Sequence, residues 1–147
     1  MDPIRVTVKK IREGAILPRY GSARAAGADL YACTESDLIL KPGETALIPT
    51  GLIVALPEGT VGLVYARSGL ALREGLAPAN KVGVIDCDYR GEVMVALYNH
   101  SAEPRTVSPG ERIAQLVITP YLAGAFEEGD VDDTARGAGG FGSTGKR

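Results

Sequence analysis

Short apolar stretches punctuated by glycine and proline are the feature of this sequence that most constrains its fold. Five of these stretches are rich in Val, Ile and Leu, and they cover residues 4–11, 45–56, 60–66, 92–99 and 112–119. Apolar and polar residues alternate most clearly in the first and the fourth stretch, as in strands that bury one face. Turn-forming segments such as KPGE, LPEG and SPGE lie between them. The pattern predicts an all-β protein with a distorted jelly-roll sandwich or barrel.

The stretch SGLALREG is the one plausible helix in the sequence. Ser68 is a residue type that caps the start of a helix, and Gly75 is the type that follows its end. We expect Leu70, Leu72 and Leu76 to be partly buried. The sequence therefore predicts one short helix of about two turns in an otherwise β-strand protein.

Length, charge and cysteine content restrict the class of protein. A chain of 147 residues has the size of one domain, and its net charge of −2 offers no basic field to a nucleic-acid backbone. Two cysteines are too few for a disulfide framework, which favours free thiols. The N-terminus carries no apolar signal core, and no apolar run is long enough to span a membrane. We therefore expect a cytoplasmic protein with no nucleic-acid partner and no membrane partner.

Residues 121–147 differ in composition from residues 1–120, which we expect to form the core. The later segment, called the arm below, is acidic at first and glycine-rich afterwards, as disordered tails often are. Phe141, however, lies among glycines close to Arg136 and the hydroxyl of Ser143. An aromatic side chain in that setting favours a functional segment over a disordered tail.

The last nine residues, GGFGSTGKR, nearly match the P-loop pattern that binds nucleotide phosphates. Arg147 stands where a P-loop has the Ser or Thr hydroxyl that holds Mg²⁺. We therefore expect either a mobile tail or a segment that covers phosphates in a different way.

Five segments closely resemble the five motifs of the trimeric dUTPase family, in the same order and at the same spacing. They span nearly the whole chain, and they read AGADLYA (26–32), ARSGLAL (66–72), NKVGVIDCDYRGEV (80–93), GERIAQL (110–116) and RGAGGFGSTG (136–145). The resemblance implies a Mg²⁺-dependent hydrolase that converts dUTP to dUMP and pyrophosphate. It also implies a homotrimer in which each active site is built at a subunit interface.

Asp86 is the candidate catalytic residue. It follows Val84 and Ile85 at the end of an apolar strand, where a half-buried carboxylate suits the polarisation of a water molecule. A turn should follow, with Asp88 at its first position and Gly91 at its fourth. Asp86 and Asp88 are close enough in sequence to bind metal as a pair of carboxylates, but aspartate is also common in turns. The resemblance assigns the general base to Asp86.

Tyr89 should lie at the tip of a hairpin that runs from Gly83 to Met94. From the residues alone, this tyrosine is either a turn residue or a ligand contact. The resemblance places it beneath the deoxyribose, where a ribose 2′-hydroxyl would collide with its ring. The same resemblance assigns recognition of the uracil edge to the hairpin backbone, with Gly83, Val84, Ile85 and Met94, joined by Asn80.

Arg67, Ser68 and Gly69 bring a cation, a hydroxyl and backbone N–H groups to the junction between a strand and the short helix. They could equally be a surface charge and a helix cap. The resemblance implies that they bind the phosphate chain, and it assigns further phosphate contacts to Gln115 and Arg136.

The arm resembles a lid over the active site. Its glycines would let the backbone lie against phosphates, and Phe141 would stack on the uracil ring. Gly142, Ser143 and Thr144 complete the part of this motif that we expect to touch the substrate.

Asp29 has apolar neighbours and follows a glycine, a setting in which an aspartate is usually a structural hydrogen-bond acceptor. The resemblance implies instead that it helps to hold Mg²⁺ through water molecules.

Two alternatives to a dUTP hydrolase stay open. A dCTP deaminase would share the fold and the nucleotide pocket but would use a glutamate to activate water against the base. A non-catalytic dUTP-binding regulator would keep the pocket without needing Asp86.

Overall fold

The computed structural model describes residues 3–143 and residue 145. The first half of the chain forms the strands β1 Thr7–Lys10, β2 Arg19–Tyr20, β3 Ala28–Tyr31, β4 Leu38–Leu40, β5 Thr45–Pro49, β6 Leu52–Ala55 and β7 Thr60–Tyr65. The second half forms the helix α1 Ser68–Glu74 and the strands β8 Leu76–Pro78, β9 Gly83–Ile85, β10 Met94–Asn99, β11 Arg105–Val107 and β12 Arg112–Pro120. The prediction of an all-β fold with one short helix is confirmed.

The strands pair in antiparallel fashion and form two larger sheets and two isolated pairs. The five-stranded sheet has the order β2-β3-β12-β7-β9, and the three-stranded sheet has the order β5-β10-β8. The pairs are β1-β6 and β11-β4. In the order of the larger sheet β9 is an edge strand, with β7 as its neighbour. This edge position matters for the site described below.

The core lies between the inward faces of these sheets. Val93, Val95 and Leu97, which follow the predicted alternation, are all buried. The first apolar stretch is less regular, because its strand covers only Thr7–Lys10 and Ile4 is exposed. The stretch 45–56 is two strands instead of one. It is divided near Gly51, whose φ of +70° ends the extended conformation.

The short helix differs from its prediction at the N-terminus. Its N-cap is Arg67 rather than Ser68, and no side chain caps it. Gly75 ends it as expected, with a φ of +67° and an N–H that donates to the Leu70 carbonyl. Leu72 is 87% exposed, contrary to expectation. Residues two apart in a helix point to opposite sides, so Leu72 cannot share the face of Leu70.

The segment that follows β9 is not a hairpin, and this corrects the prediction. β9 pairs with β7, whereas β10 pairs with β5 and β8 in the other sheet. Residues 86–93 therefore cross from one sheet to the other. The turn also begins earlier than predicted, because the Tyr89 N–H donates to the Asp86 carbonyl at 3.1 Å. It therefore spans Asp86–Tyr89 instead of beginning at Asp88.

The arm is exposed along residues 121–138. In its described residues it contains neither helix nor strand, and its hydrogen bonds beyond Tyr121 join residues of the arm to each other. The division into a core of residues 1–120 and an arm of residues 121–147 stays a prediction. Across the described chain, no helix combines the length and the apolar character that crossing a bilayer requires.

Candidate active site

A pocket of about 240 Å³ lies between β9, β10 and the segment that joins them. Phe141, which is predicted to stack on the base, does not line this pocket, but the other residues predicted to activate water or to contact the base or the sugar do: Asn80, Gly83, Val84, Ile85, Asp86, Tyr89 and Met94. Among the described residues that line it, none comes from the predicted phosphate contacts or from the arm. One chain thus gathers one part of the predicted site.

Strand β9 sets the position of Asp86. Its backbone pairs with β7, which buries Ile85 and leaves Val84 63% exposed on the opposite side. Asp86 comes directly after the last paired residue and is exposed, so the expectation of a half-buried carboxylate is wrong. No hydrogen bond between described residues uses this carboxylate, so its oxygens are available to accept from a water molecule. It also lines a neighbouring open cavity with Asp88 and Tyr121.

The turn before β9 brings Asn80 to the pocket. Lys81 adopts a φ of +68°, and the Val82 N–H donates to the Asn80 carbonyl at 2.7 Å. A Cβ at Gly83 would lie 3.3 Å from the Asn80 amide nitrogen and 3.1 Å from the Cβ of Val64. A glycine at position 83 therefore lets the Asn80 side chain pack against the backbone of β9.

Tyr89 lies over Gly91. A Cβ at Gly91 would come within 2.5 Å of the Tyr89 Cζ, so the ring occupies space that any other residue would fill. The Tyr89 hydroxyl donates to the Glu92 carbonyl at 2.9 Å. Tyr89 is 44% exposed and lines the pocket. The contact with Gly91 and the hydrogen bond from the hydroxyl therefore both hold the ring in position.

A second cluster contains Asp29 and two arginines. Arg67 Nε donates to Asp29 Oδ1 at 2.7 Å, and Arg112 Nη1 donates to Asp29 Oδ2 at 3.4 Å. The Asp29 side chain is 13% exposed. The sheet explains this arrangement, because β12 lies between β3 and β7 and places Gln115 opposite both Asp29 and Tyr65. The cluster presents more positive than negative charge.

Gln115 joins this cluster to the end of β7. Its Nε2 donates to the Ala66 carbonyl at 2.8 Å, and its side chain lies where a Cβ of Gly27 would be. Ser68 is exposed at the start of the helix, next to Arg67. The Arg73 guanidinium approaches Gly69, with Nη2 2.9 Å from the position of an added Cβ. Cations and hydrogen-bond donors therefore share this surface.

The described residues contain no group of three or more His, Cys, Asp and Glu side chains placed to hold a metal ion. Asp29 has an ion pair on each carboxylate oxygen. Each oxygen keeps a further lone pair, which suits a hydrogen bond from a metal-bound water better than direct coordination.

Among the described residues, the predicted arm contacts form no hydrogen bond with the pocket or with the arginine cluster. Arg136 Nε donates to the Gly139 carbonyl at 2.8 Å, and the Ser143 N–H donates to the Gly140 carbonyl at 3.0 Å. Phe141 is fully exposed and, like Gly142, has a positive φ. Thr144, also predicted to contact the substrate, lies outside the described residues.

Three side chains in or beside this site were not predicted from the sequence. Arg12 donates to both Glu92 oxygens, from Nε to Oε1 at 2.6 Å and from Nη2 to Oε2 at 2.9 Å. These hydrogen bonds, with one from the Gly51 N–H, lower the pKa of the Glu92 carboxyl, against an opposing effect of burial. Residues so far apart in sequence give no local signal. Arg112 was also missed, although it stands three residues before Gln115 in the same quoted segment.

Comparisons with known proteins agree with this geometry. The family model described as dUTPase matches residues 13–145. The chain is 50% identical over 149 aligned residues to a deoxyuridine 5′-triphosphate nucleotidohydrolase of Desulfitobacterium hafniense, covering 99% of both chains. It is 47% identical to the enzyme of the same name from Syntrophotalea carbinolica, again covering 99% of both.

Solved structures give the same result at lower identity. A mutant dUTPase of Staphylococcus bacteriophage 80alpha with dUpNHpp superposes with a TM-score of 0.83 at 28% identity, covering 96% of this chain and 98% of that one. A mutant dUTPase from phage phi11 of S. aureus, described with the coordination of a structural Mg(II) ion, has a TM-score of 0.77 at 25% identity and covers 87% and 98%. The sequence matches extend over nearly the whole chain and include every segment that forms the pocket and the arginine cluster, so this chain belongs to the dUTPase family.

Proposed function

We propose that this protein hydrolyses dUTP to dUMP and pyrophosphate. The observation that carries the proposal is the pocket in which Asp86 meets Asn80, β9 and Tyr89. The pocket contains a carboxylate that could activate water, a strand edge that could hydrogen-bond a base, and an aromatic ring that could distinguish deoxyribose from ribose. Such a reaction would keep uracil out of DNA and supply dUMP for thymidylate synthesis.

Asp86 would act as the general base. Its exposed carboxylate accepts a proton from a water molecule, whose oxygen then attacks the α-phosphorus in line with the leaving group. The bond between the α-phosphorus and the bridging oxygen breaks, and pyrophosphate leaves with that oxygen. Arg67, Ser68, Gln115 and Arg136 would stabilise the charge that develops on the phosphate oxygens.

The free edge of β9 would read the base. Uracil presents an acceptor at O4 and a donor at N3, and cytosine reverses both. An edge strand has unpaired backbone N–H and C=O groups that bind such a pattern. Gly83, Val84 and Ile85 belong to this edge, and Asn80 and Met94 flank it in the pocket. Cytosine would leave buried polar groups unpaired, which lowers its rate by orders of magnitude.

Tyr89 would select the sugar. Its ring is held over Gly91 on one side and faces the pocket on the other. A deoxyribose packs against such a surface, whereas a 2′-hydroxyl needs space that the ring occupies. The selection is therefore steric and depends on a ring that does not move.

The complete site would form between subunits of a homotrimer. The pocket with Asp86 and the cluster of Arg67 and Gln115 share no lining residue in one chain, and the arm residues described beyond Tyr121 form no hydrogen bond with either. In the proposed trimer, surfaces from more than one copy would bring the base, the reactive phosphorus and the phosphate chain together. The arm would close over the substrate with Phe141 stacked on uracil and Gly142, Ser143 and Thr144 at the phosphates.

Mg²⁺ would be the metal ion of this reaction, bound mainly to the substrate's phosphate oxygens. The donor set fits a water-mediated role for Asp29, since its oxygens keep lone pairs but already bind Arg67 and Arg112. When bound, the ion would neutralise phosphate charge. A cytoplasmic location and the absence of nucleic-acid and membrane partners stay predictions from the sequence.

Pyrophosphate release measured with dUTP, dTTP, dCTP and UTP in the presence of Mg²⁺ tests the proposal. We expect rapid release from dUTP and release slower by orders of magnitude from the other three. Ammonia release from dCTP would instead indicate a deaminase. Tight dUTP binding without pyrophosphate release would indicate a non-catalytic regulator.

A further inference from the structure

An ion pair stands behind the loop that carries Tyr89. Arg12 follows β1 in the chain and binds Glu92 through two parallel hydrogen bonds, the geometry that best fixes a carboxylate in direction and distance. The Glu92 side chain is 13% exposed, and its carboxylate binds the N-terminal segment at Arg12, although the residue also lines the pocket that contains Asp86. The reaction described above does not use this pair.

The Glu92 side chain is fastened at a third point. Its Oε1 also accepts a hydrogen bond from the Gly51 N–H at 2.9 Å. The carbonyl of the next residue, Val93, accepts two hydrogen bonds from buried Thr50. The Thr50 hydroxyl donates at 2.6 Å and the Thr50 N–H donates at 3.2 Å. The backbone at residues 92 and 93 is therefore tied to the turn between β5 and β6.

The fixed Glu92 backbone is what holds the Tyr89 hydroxyl. The acceptor of that hydroxyl is the Glu92 carbonyl, and the ring rests on Gly91 between the two residues. A shift of residue 92 would therefore be passed to the ring through the hydrogen bond and the contact with Gly91. Val93 is held by its backbone, since its N–H donates to the Leu52 carbonyl at 2.8 Å, but residues 86–92 pair with no strand of the described chain.

We propose that Arg12 and Glu92 are positioning residues for sugar selection, because they hold the Tyr89 ring where a 2′-hydroxyl would have to lie. The inference rests on the proposed function, in which Tyr89 excludes ribonucleotides. Neither residue touches the substrate in this account. Steric exclusion of one small group needs a surface that stays in place within a fraction of its diameter, so loosening the support admits UTP.

Glu92→Gln and Arg12→Met are the variants that test this inference. Glutamine keeps the size of Glu92, but its amide nitrogen faces the Arg12 Nη2 donor and cannot accept its hydrogen bond. Glu74→Gln is the matched control. Glu74 forms a single ion-pair contact with Arg105 at 3.1 Å, at the end of the helix, and takes no part in holding Tyr89.

The measured quantity is the ratio of kcat/KM for dUTP to kcat/KM for UTP. We expect Glu92→Gln and Arg12→Met to lower this ratio by about tenfold each, mainly through a lower KM for UTP. The double variant should lower it no further than either single one, since both remove the same ion pair. Glu74→Gln should leave the ratio at the wild-type value.

If Glu92→Gln or Arg12→Met fails to fold, Arg12→Lys and Tyr89→Phe test the same inference. Lysine retains the charge but not the two parallel bonds, so it should give a ratio between those of wild type and Arg12→Met. Phenylalanine keeps the ring but removes its bond to the Glu92 carbonyl, so it should also lower the ratio.

The outcomes separate this inference from the proposed function. If wild-type protein rejects UTP and the folded variants slow dUTP and UTP equally, the ratio is unchanged and the positioning role is wrong. Wild-type protein that hydrolyses UTP as well as dUTP contradicts the sugar selection itself. Failure of wild type to release pyrophosphate from dUTP contradicts the proposed hydrolysis.

Discussion

The pocket segment of residues 80–94 and the arm of residues 121–143 both carry predicted substrate contacts, but they differ in how the rest of the fold supports them. The pocket segment is tied to both sheets, through pairing of β9 with β7 and through hydrogen bonds from Thr50 and Gly51. The arm is exposed, and beyond Tyr121 its hydrogen bonds are internal. Leu122, Phe126 and Val131 are almost completely exposed in this chain.

This difference shows how one small domain can combine selection and closure. Recognition of a base and a sugar needs groups that hold their positions before the substrate arrives, and the sheet edge provides them. A segment that must open for each turnover cannot have such support, so its order has to come from the substrate or another subunit. The pocket segment should therefore govern chemistry and specificity, and the arm should govern turnover without affecting the fold.

The largest expected effect comes from Asp86→Asn in the pocket segment. Asparagine keeps the shape of the side chain but cannot take a proton from water, so kcat should fall by roughly 10³–10⁴-fold. Because Asp86 is exposed and takes part in no ion pair described for this chain, the melting temperature should stay the same. Pyrophosphate release and thermal unfolding measure the two quantities. Undiminished turnover would show that another group activates the water.

Deleting residues 136–147 tests the other side of the comparison. We expect turnover of dUTP to fall by roughly 10²-fold or more, because the deletion removes Arg136 and the stacking ring of Phe141. The truncated protein should unfold at the same temperature and keep its oligomeric state by light scattering, since the described residues of this segment form hydrogen bonds only within the arm. Full activity of the truncated protein would refute a closing role for the arm.

Sequence patterns predicted those parts of the molecule that depend on neighbouring residues. The apolar stretches became strands, and Gly75 ended the helix because its backbone conformation is a local property. The pocket residues between Asn80 and Met94 came together because they lie on one continuous segment. The grouping of these residues therefore needed no knowledge of the sheets.

Features that join distant segments could not be predicted in the same way. Arg12 and Glu92 are 80 residues apart, and Asp29 meets Arg112 across 83 residues. A strand of three residues such as β9 does not encode which strand it pairs with, and a hairpin was the simplest local assumption. Its partner is chosen by the packing of the whole sheet, which also left Asp86 more exposed than a strand end suggests.

A pair of apolar truncations sharpens the comparison in terms of stability. Leu97, in β10 behind the pocket, is fully buried, whereas Phe126 in the arm is fully exposed. Leu97→Ala should lower the free energy of unfolding by about 2–5 kcal/mol, because it opens a cavity in the core. Phe126→Ala should change it by less than about 0.5 kcal/mol. Chemical denaturation of both variants measures these values, and a large loss for Phe126→Ala would place the arm against the folded core.

The smallest expected effect is the pH dependence of the Glu92 ion pair. The pKa of Glu92 is lowered in the folded protein, so the folded state holds its proton less tightly than the unfolded chain does. The pair therefore stabilises the fold above the usual pKa of about 4.3, and this contribution is lost as the pH falls through the lowered value. The difference in melting temperature between wild type and Glu92→Gln should accordingly shrink below about pH 4.3. Glu127→Gln, in the exposed arm, is the control, and its melting temperature should equal that of wild type. A melting-temperature difference for Glu92→Gln that does not change with pH would mean that the charge of Glu92 does not hold the loop.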